Sequence, residues 1–189
     1  EYAIIFQGYY FGKQPEAMGE LVFTTAMTGY LETLTDPSYY GQLVIQTFPL
    51  IGNYGVIPSD FESARPVLKA YIVREWCQQP SNFRSEGQLD AFLKQEGIPG
   101  LYGIDTRALT RIVREQGVMN AKLSFTPEAD EALLKELKSF SIKNAVNSVS
   151  NLSQPSVTQP QSGPLVALWD FGAKLNIERE LIKRGCRVK

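Results

Sequence analysis

The chain has 189 residues, 43% of them hydrophobic, with 19 basic and 20 acidic side chains, two cysteines and no histidine. That length suits one domain and a remainder, since single domains run to about 100–200 residues, and a pI near 5.6 leaves no electrostatic footprint for nucleic acid or an anionic membrane. Without histidine, a Ser-His-Asp triad, a Cys-His pair and an H-E-x-x-H zinc site are excluded within these residues, and only carboxylate or lysine chemistry stays open.

No apolar run approaches the 18 or so residues of a membrane span, and no signal peptide opens the chain. Cys77 and Cys186 lie too far apart to read as a secreted disulfide framework, so a reducing, cytosol-like compartment is expected.

In chain order, residues 1–13 carry enough β-formers for a strand broken by Gly8 and Gly12; with no initiator methionine, that strand is expected to be clipped. Residues 20–27, ELVFTTAM, set Leu21, Phe23 and Thr25 on one face and Val22, Thr24 and Ala26 on the other. Apolar groups on both faces predict a strand buried between layers. Residues 42–48, QLVIQTF, form a second such strand, closed by Pro49 and the turn around Gly52 and Gly55, and residues 67–75 a third.

Ser85 and Gln88 have capping-box spacing before a helix with Leu89, Phe92 and Leu93 inward and Gly97 as its stop. A second helix runs over 106–116, with Asp105 as N-cap, Gly117 past its end and Ala108, Leu109, Ile112 and Val113 inward. Residues 118–125 return as a strand, and 128–140 form a third amphipathic helix, acidic at its start and lysine-bearing toward its end. From 141 to 163 Ser, Asn, Gln and Pro dominate, as in an extended or flexible connector. Residues 164–189 then read as a buried strand, a glycine turn and a helix with Ile177, Leu181 and Ile182 on one face, ending as a second strand begins. A strand and a helix cannot bury their own faces, so this unit is expected to open a further domain.

Few residues carry chemistry. Asp170-Phe171-Gly172 has the letters of a kinase metal-binding motif, but no Gly-rich loop, strand lysine or H-R-D loop accompanies it, and a strand end followed by a glycine turn is the better reading. Nor does the run match a G-x-G-x-x-G phosphate loop. Cys77 and Cys186 read as buried, inert thiols. Arg107, Arg111 and Arg114 offer a phosphate site or, more commonly, a solvated face with salt links to acids such as Glu115. Ser38, in Thr35-Asp36-Pro37-Ser38-Tyr39-Tyr40, either presents a hydroxyl to a ligand or completes a turn; taken alone, the turn explains it.

Read together, GELVFTTAMTGYLETLTDPSYYGQLVIQTFPLIGNYG, PSNFR and GIPGLYGIDTRALTRIVREQGVMNAKLS are similar to the small, glutaminase chain of the carbamoyl-phosphate synthase family. DFGAKLNIERELIKRGC resembles the first strand and helix of that chain's class I glutamine amidotransferase domain. The resemblance implies an α/β fold: a three-layer β/β/α domain over 1–140 with helices along one side, a linker over 141–163, and the truncated start of the glutaminase domain over 164–189. It implies a parent enzyme that hydrolyses glutamine through a cysteine thioester and passes ammonia to a large chain. That large chain holds ATP and Mg2+ and makes carbamoyl phosphate for pyrimidine and arginine synthesis in the cytoplasm.

On the family's pattern the catalytic cysteine and histidine belong to sequence beyond Lys189, Cys186 is not that nucleophile, and these 189 residues alone are expected to be inactive. No catalytic residue, metal site or cofactor is expected here. Ser38 matches a family serine that contacts bound glutamine, so the resemblance implies substrate binding there. The implied partner is the large chain, with no nucleic acid and no membrane; the Gly52–Gly55 turn and the PSNFR loop are the first surfaces to consider for docking. A non-catalytic docking module derived from the same domain is the alternative, and an unrelated nucleotide-binding protein using the Gly172 turn a third.

Overall fold

The structure, a computed structural model, describes residues 3–126, 129–150 and 158–189. Three sequence-based readings extend outside those residues: the first two positions of the opening strand, residue 128 of the third helix, and 151–157 of the connector.

Six strands form one mixed sheet: β1 (Tyr9–Gly12), β2 (Ala17–Thr24), β3 (Gln42–Gln46), β5 (Ala70–Ile72), β7 (Pro99–Tyr102) and β8 (Met119–Leu123), while β4 (Leu50–Ile51) and β6 (Glu75–Trp76) pair separately. The order is β1-β7-β5-β3-β2-β8, with β2, β3, β5 and β7 mutually parallel and both edge strands antiparallel. The register aligns Leu21 with Leu43 and Leu43 with Ala70, and one step on aligns Val22 with Val44 and Val44 with Tyr71. Because side chains alternate, these two rows face opposite sides of the sheet.

Both sides are buried. Leu21, Leu43, Ile45, Ala70 and Ile72 pack with Leu109 and Val113 of α3 (Thr106–Gln116). Val44 and Tyr71 pack with Leu31 and Leu34 of α1 (Tyr30–Thr35), Ile51 of β4, and Leu89 and Leu93 of α2 (Leu89–Glu96). The expectation of strands buried between layers holds, but helices cover both faces rather than one. Five further elements follow: α4 (Glu131–Ser139), α5 (Ala145–Val149), β9 (Leu165–Val166), α6 (Leu175–Lys183) and β10 (Arg187–Val188), which pairs parallel with β9.

Several boundaries differ from the local signals. The opening strand shortens to β1. β2 begins at Ala17 because antiparallel pairing with β8, from Ala17↔Leu123 to Leu21↔Met119, recruits weak β-formers. Residues 67–75 split into β5 and β6. The capping box does not form: Gln88 makes no side-chain cap, and the Ser85 hydroxyl donates to the Gly87 carbonyl. Backbone bonds between Val56 and residues 86 and 87 hold that segment extended, so α2 starts only at Leu89. The polar connector contains α5, whose Val149 is 5% exposed, and Ile142 lies where a Cβ on Gly41 would point, 3.0 Å away. In α6, Leu175 is the buried residue and Ile177 is 46% exposed. Neither cysteine is buried in the core; both are free and partly exposed, and the Cys77 thiol donates to the Gln79 carbonyl.

α1 lacks a local cap. Gly29 precedes it in a left-handed conformation with no side chain to offer, and the Tyr54 hydroxyl accepts from the amides of Gly29 and Tyr30 instead. The Tyr54 ring stacks on Tyr30 at 4.1 Å. Tyr54→Phe keeps the stack and orphans both amides, so it is expected to cost about 1–3 kcal/mol, the usual penalty for unsatisfied buried donors. Urea unfolding measures this, and an unchanged midpoint would mean the amides find water.

Candidate functional site

The site is built from two turns distant in sequence. α1 leads directly into a 3-10 turn, Pro37–Tyr39, which Pro37 preorganises by fixing its own φ. Asp36 is 8% exposed, and its Oδ1 accepts from the Ser38 amide at 2.9 Å, an Asx-type closure. Thr35 is fully buried: its hydroxyl donates to the Leu31 carbonyl and accepts from the Glu62 amide, at 2.7 and 2.8 Å.

The second turn follows β9. Asp170 Oδ1 accepts from the amides of Gly172 and Ala173 at 2.9 and 2.8 Å. Gly172 has φ 100, and a Cβ there would lie 2.6 Å from Val149 and 3.4 Å from Pro37. Only glycine combines that backbone with so close an approach. The glycine-turn reading of Asp170-Phe171-Gly172 is therefore correct, and the turn is pressed against the one that carries Ser38.

Between them lies a shallow cleft of about 190 Å³, walled by Pro37, Ser38 and Tyr40 on one side, Phe171 and Gly172 on the other, and Val146 and Val149 of α5 beneath. Ser38 is exposed, and no hydrogen bond engages its hydroxyl among the described residues. The hydroxyls of Ser38 and Tyr40 are the polar side-chain groups of this lining. Its described lining carries no carboxylate, amine or thiol, an arrangement suited to binding and orienting a ligand. Among the described residues no group of three or more Cys, Asp or Glu could hold a metal ion, and no helix is long and apolar enough to cross a membrane.

An ion pair spans the two turns: Lys174 Nζ lies 2.7 Å from Asp36 Oδ2. The hydrogen bond to Asp36 raises the Lys174 pKa above 10.5, against a smaller opposing effect of burial. A lysine raised in the folded state stabilises it fully below its unfolded value and loses that contribution as the pH rises through the raised value, here in the alkaline range. Burial, with Asp36 nearby, also raises the Tyr39 phenol.

Of the candidates read from sequence, Ser38 and the Phe171-Gly172 part of the glycine turn reach this cleft. Arg107, Arg111 and Arg114 are exposed on the outer face of α3, with Arg114 3.8 Å from Glu115, as a solvated face requires. The Gly52–Gly55 turn points Tyr54 inward, whereas Phe83 of PSNFR is 96% exposed on a loop anchored by Arg84 to Asp60 and Ser59. Sequence reasoning missed Asp36 and Lys174. The Asp-Pro-Ser spacing could have signalled Asp36, but nothing local points to Lys174.

Asp36→Asn keeps an acceptor for the Ser38 amide and removes the charge facing Lys174. The lysine is then expected to titrate closer to 10.5, followed by NMR of its side-chain signals; an unmoved titration would count against the ion pair in solution.

A family model described as the carbamoyl-phosphate synthase small chain, CPSase domain, matches residues 1–123. Over 188 residues the chain is 47% identical to the carbamoyl phosphate synthase small chain of Clostridium perfringens, covering 100% of this chain and 53% of that one. It is 50% identical to the small chain of Fusobacterium nucleatum, covering 97% and 51%, and 47% identical to the pyrimidine-specific small chain of Bacillus subtilis, covering 100% and 51%. The chain thus spans about half the length of the curated relatives it matches. With the family model covering the whole six-stranded sheet and the matches to the small chains extending over the rest of the sequence, this chain belongs to the carbamoyl-phosphate synthase small-chain family.

Proposed function

We propose that the chain is the N-terminal part of the glutaminase subunit of carbamoyl-phosphate synthase. In this reading, residues 1–140 form the domain that docks to the large chain, 141–163 the linker, and 164–189 the start of the amidotransferase domain. The family's β/β/α layering belongs to the same reading; the β4–β6 pair on one side of the six-stranded sheet and α3 on the other support it, while α1 and α2 join the β4–β6 side. The intact subunit hydrolyses glutamine to glutamate and ammonia in the cytoplasm. The large chain of the heterodimer, which binds ATP and Mg2+, takes that ammonia into carbamoyl phosphate for pyrimidine and arginine synthesis.

The observation that carries this reading is the Ser38 hydroxyl, free of partners among the described residues and facing a cleft shared with the Phe171-Gly172 turn. One hydroxyl can donate and accept, which suits a substrate bearing both ammonium and carboxylate. In this reading the cleft, whose polar side-chain groups are the Ser38 and Tyr40 hydroxyls, forms a wall of the glutamine site and leaves the chemistry to the cysteine and histidine of the intact subunit. Keeping the released ammonia inside the complex prevents its protonation and loss to water.

Docking falls to the PSNFR loop. Phe83 has the exposure and the rigid support expected of an interface anchor, because Arg84 ties the loop to Asp60 and Ser59.

Two outcomes test these assignments. In the full-length subunit with its large chain, Ser38→Ala is expected to raise the glutamine KM by roughly 10- to 100-fold, one hydrogen bond to a charged ligand being worth about 1.5–3 kcal/mol. Ammonia-dependent synthesis should stay within twofold (roughly the scatter of a neutral surface change), and an unchanged glutamine KM would return Ser38 to its turn. Phe83→Ala is expected to weaken association of the two chains by about tenfold or more in calorimetric titration, as loss of an aromatic anchor does. Unchanged affinity would move the interface elsewhere.

A further inference from the structure

Phe61, Glu62 and Ser63 bond to the segments that flank the two turns of the cleft, and among these three Glu62 bonds to both sides. The Glu62 amide donates to Thr35 Oγ1 at 2.8 Å, and the Ser63 hydroxyl donates to the Thr35 carbonyl at 2.6 Å, holding the residue that precedes Asp36. On the other side the Glu62 carbonyl accepts from the Leu175 amide at 2.8 Å, and its Oε2 accepts from the Asn176 amide at 2.9 Å. Arg179 donates to the Phe61 carbonyl at 3.0 Å. α6 has no side-chain cap of its own at Lys174, so Glu62 caps it from 114 positions away. Glu62 is 9% exposed and Ser63 1%.

We infer that the Phe61–Ser63 segment is the bracket that sets the spacing of the cleft, and that Glu62 is a positioning residue for the ligand held between Ser38 and the Phe171-Gly172 turn. The assignment rests on the proposed glutamine site at Ser38. The physical reason is the covalent path. Ser38 is three residues from Thr35, and Gly172 is three residues from Leu175, so the bracket holds each wall by a backbone segment too short to drift. A carboxylate suits the amides at a helix start, and a nearly buried carboxylate bonded there resists displacement by water. Without its side chain the Asn176 amide loses its acceptor, the start of α6 is left to the Leu175 and Arg179 bonds to the Glu62 and Phe61 carbonyls, and the Phe171-Gly172 wall loosens relative to Ser38. The contact with glutamine then weakens, although nothing that touches glutamine has changed.

The test uses the full-length small chain with its large chain. Glu62→Ala is expected to raise the glutamine KM about tenfold, the worth of one misplaced hydrogen bond, with kcat and ammonia-dependent synthesis within about twofold of the parent. Glu62→Gln keeps an oxygen for the Asn176 amide and should restore the KM. Arg179→Met retains the apolar stem and removes the bond to Phe61; it should move KM in the same direction and serves if Glu62→Ala fails to fold. An unchanged KM in Glu62→Ala while Ser38→Ala raises it overturns the bracket. If neither variant moves KM, the glutamine assignment falls, and hydrogen exchange decides the bracket: faster exchange of the Asn176 amide in Glu62→Ala supports it, and unaltered protection overturns it.

Discussion

Everything in this fold depends on a sheet whose centre can face water on neither side. Leu43 and Ile45 point one way from β3 and Val44 the other, and all three are at most 1% exposed. A parallel core of this kind must be covered twice, and each crossover between its strands must lie against one face or the other. α1 is the crossover from β2 to β3, packed on the side shared with α2 and β4. Its end is thereby fixed just before β3, where the Ser38 turn sits.

Hydrophobic burial decides which elements stack, but it does not decide the spacing of the cleft to a fraction of an ångström. That is set by buried polar groups bonded to partners far along the chain. Tyr54 caps α1 in place of a missing local cap. Tyr71 donates to Gln46, which in turn donates to the Ala26 carbonyl, fixing the loop before α1. Thr35 and Glu62 join the end of α1 to the start of α6. An unpaired polar group in such surroundings costs free energy, so alternative arrangements of these segments are penalised.

How much was legible in the residues varies with where the deciding interactions lie. α3 was read to the residue because its N-cap, apolar stripe and terminal glycine are all local; Asp105 does accept from Ala108. The Ser85–Gln88 capping box has equally good local chemistry and fails, because pairing with Val56 claims the same backbone. The start of β2 was misplaced by three residues because its partner β8 lies about 100 residues on and recruits positions of poor strand propensity. α5 was hidden by polar composition; it forms where Val149 can be buried beneath Gly172.

The same division applies to the site. The order of residues alone established that the core strands are two-sided, that no histidine-dependent chemistry resides in these residues, and, through long ordered motifs, which family the chain resembles. It also singled out Ser38, though on its own residues only as a turn. Tertiary structure alone decided that this turn and the Asp170-Phe171-Gly172 turn share one cleft, that Lys174 pairs with Asp36, and that Glu62 holds both sides. The contacts with the 170–176 segment join positions more than a hundred residues apart, and no local periodicity or cap encodes such a distance; only the folded sheet brings them within reach.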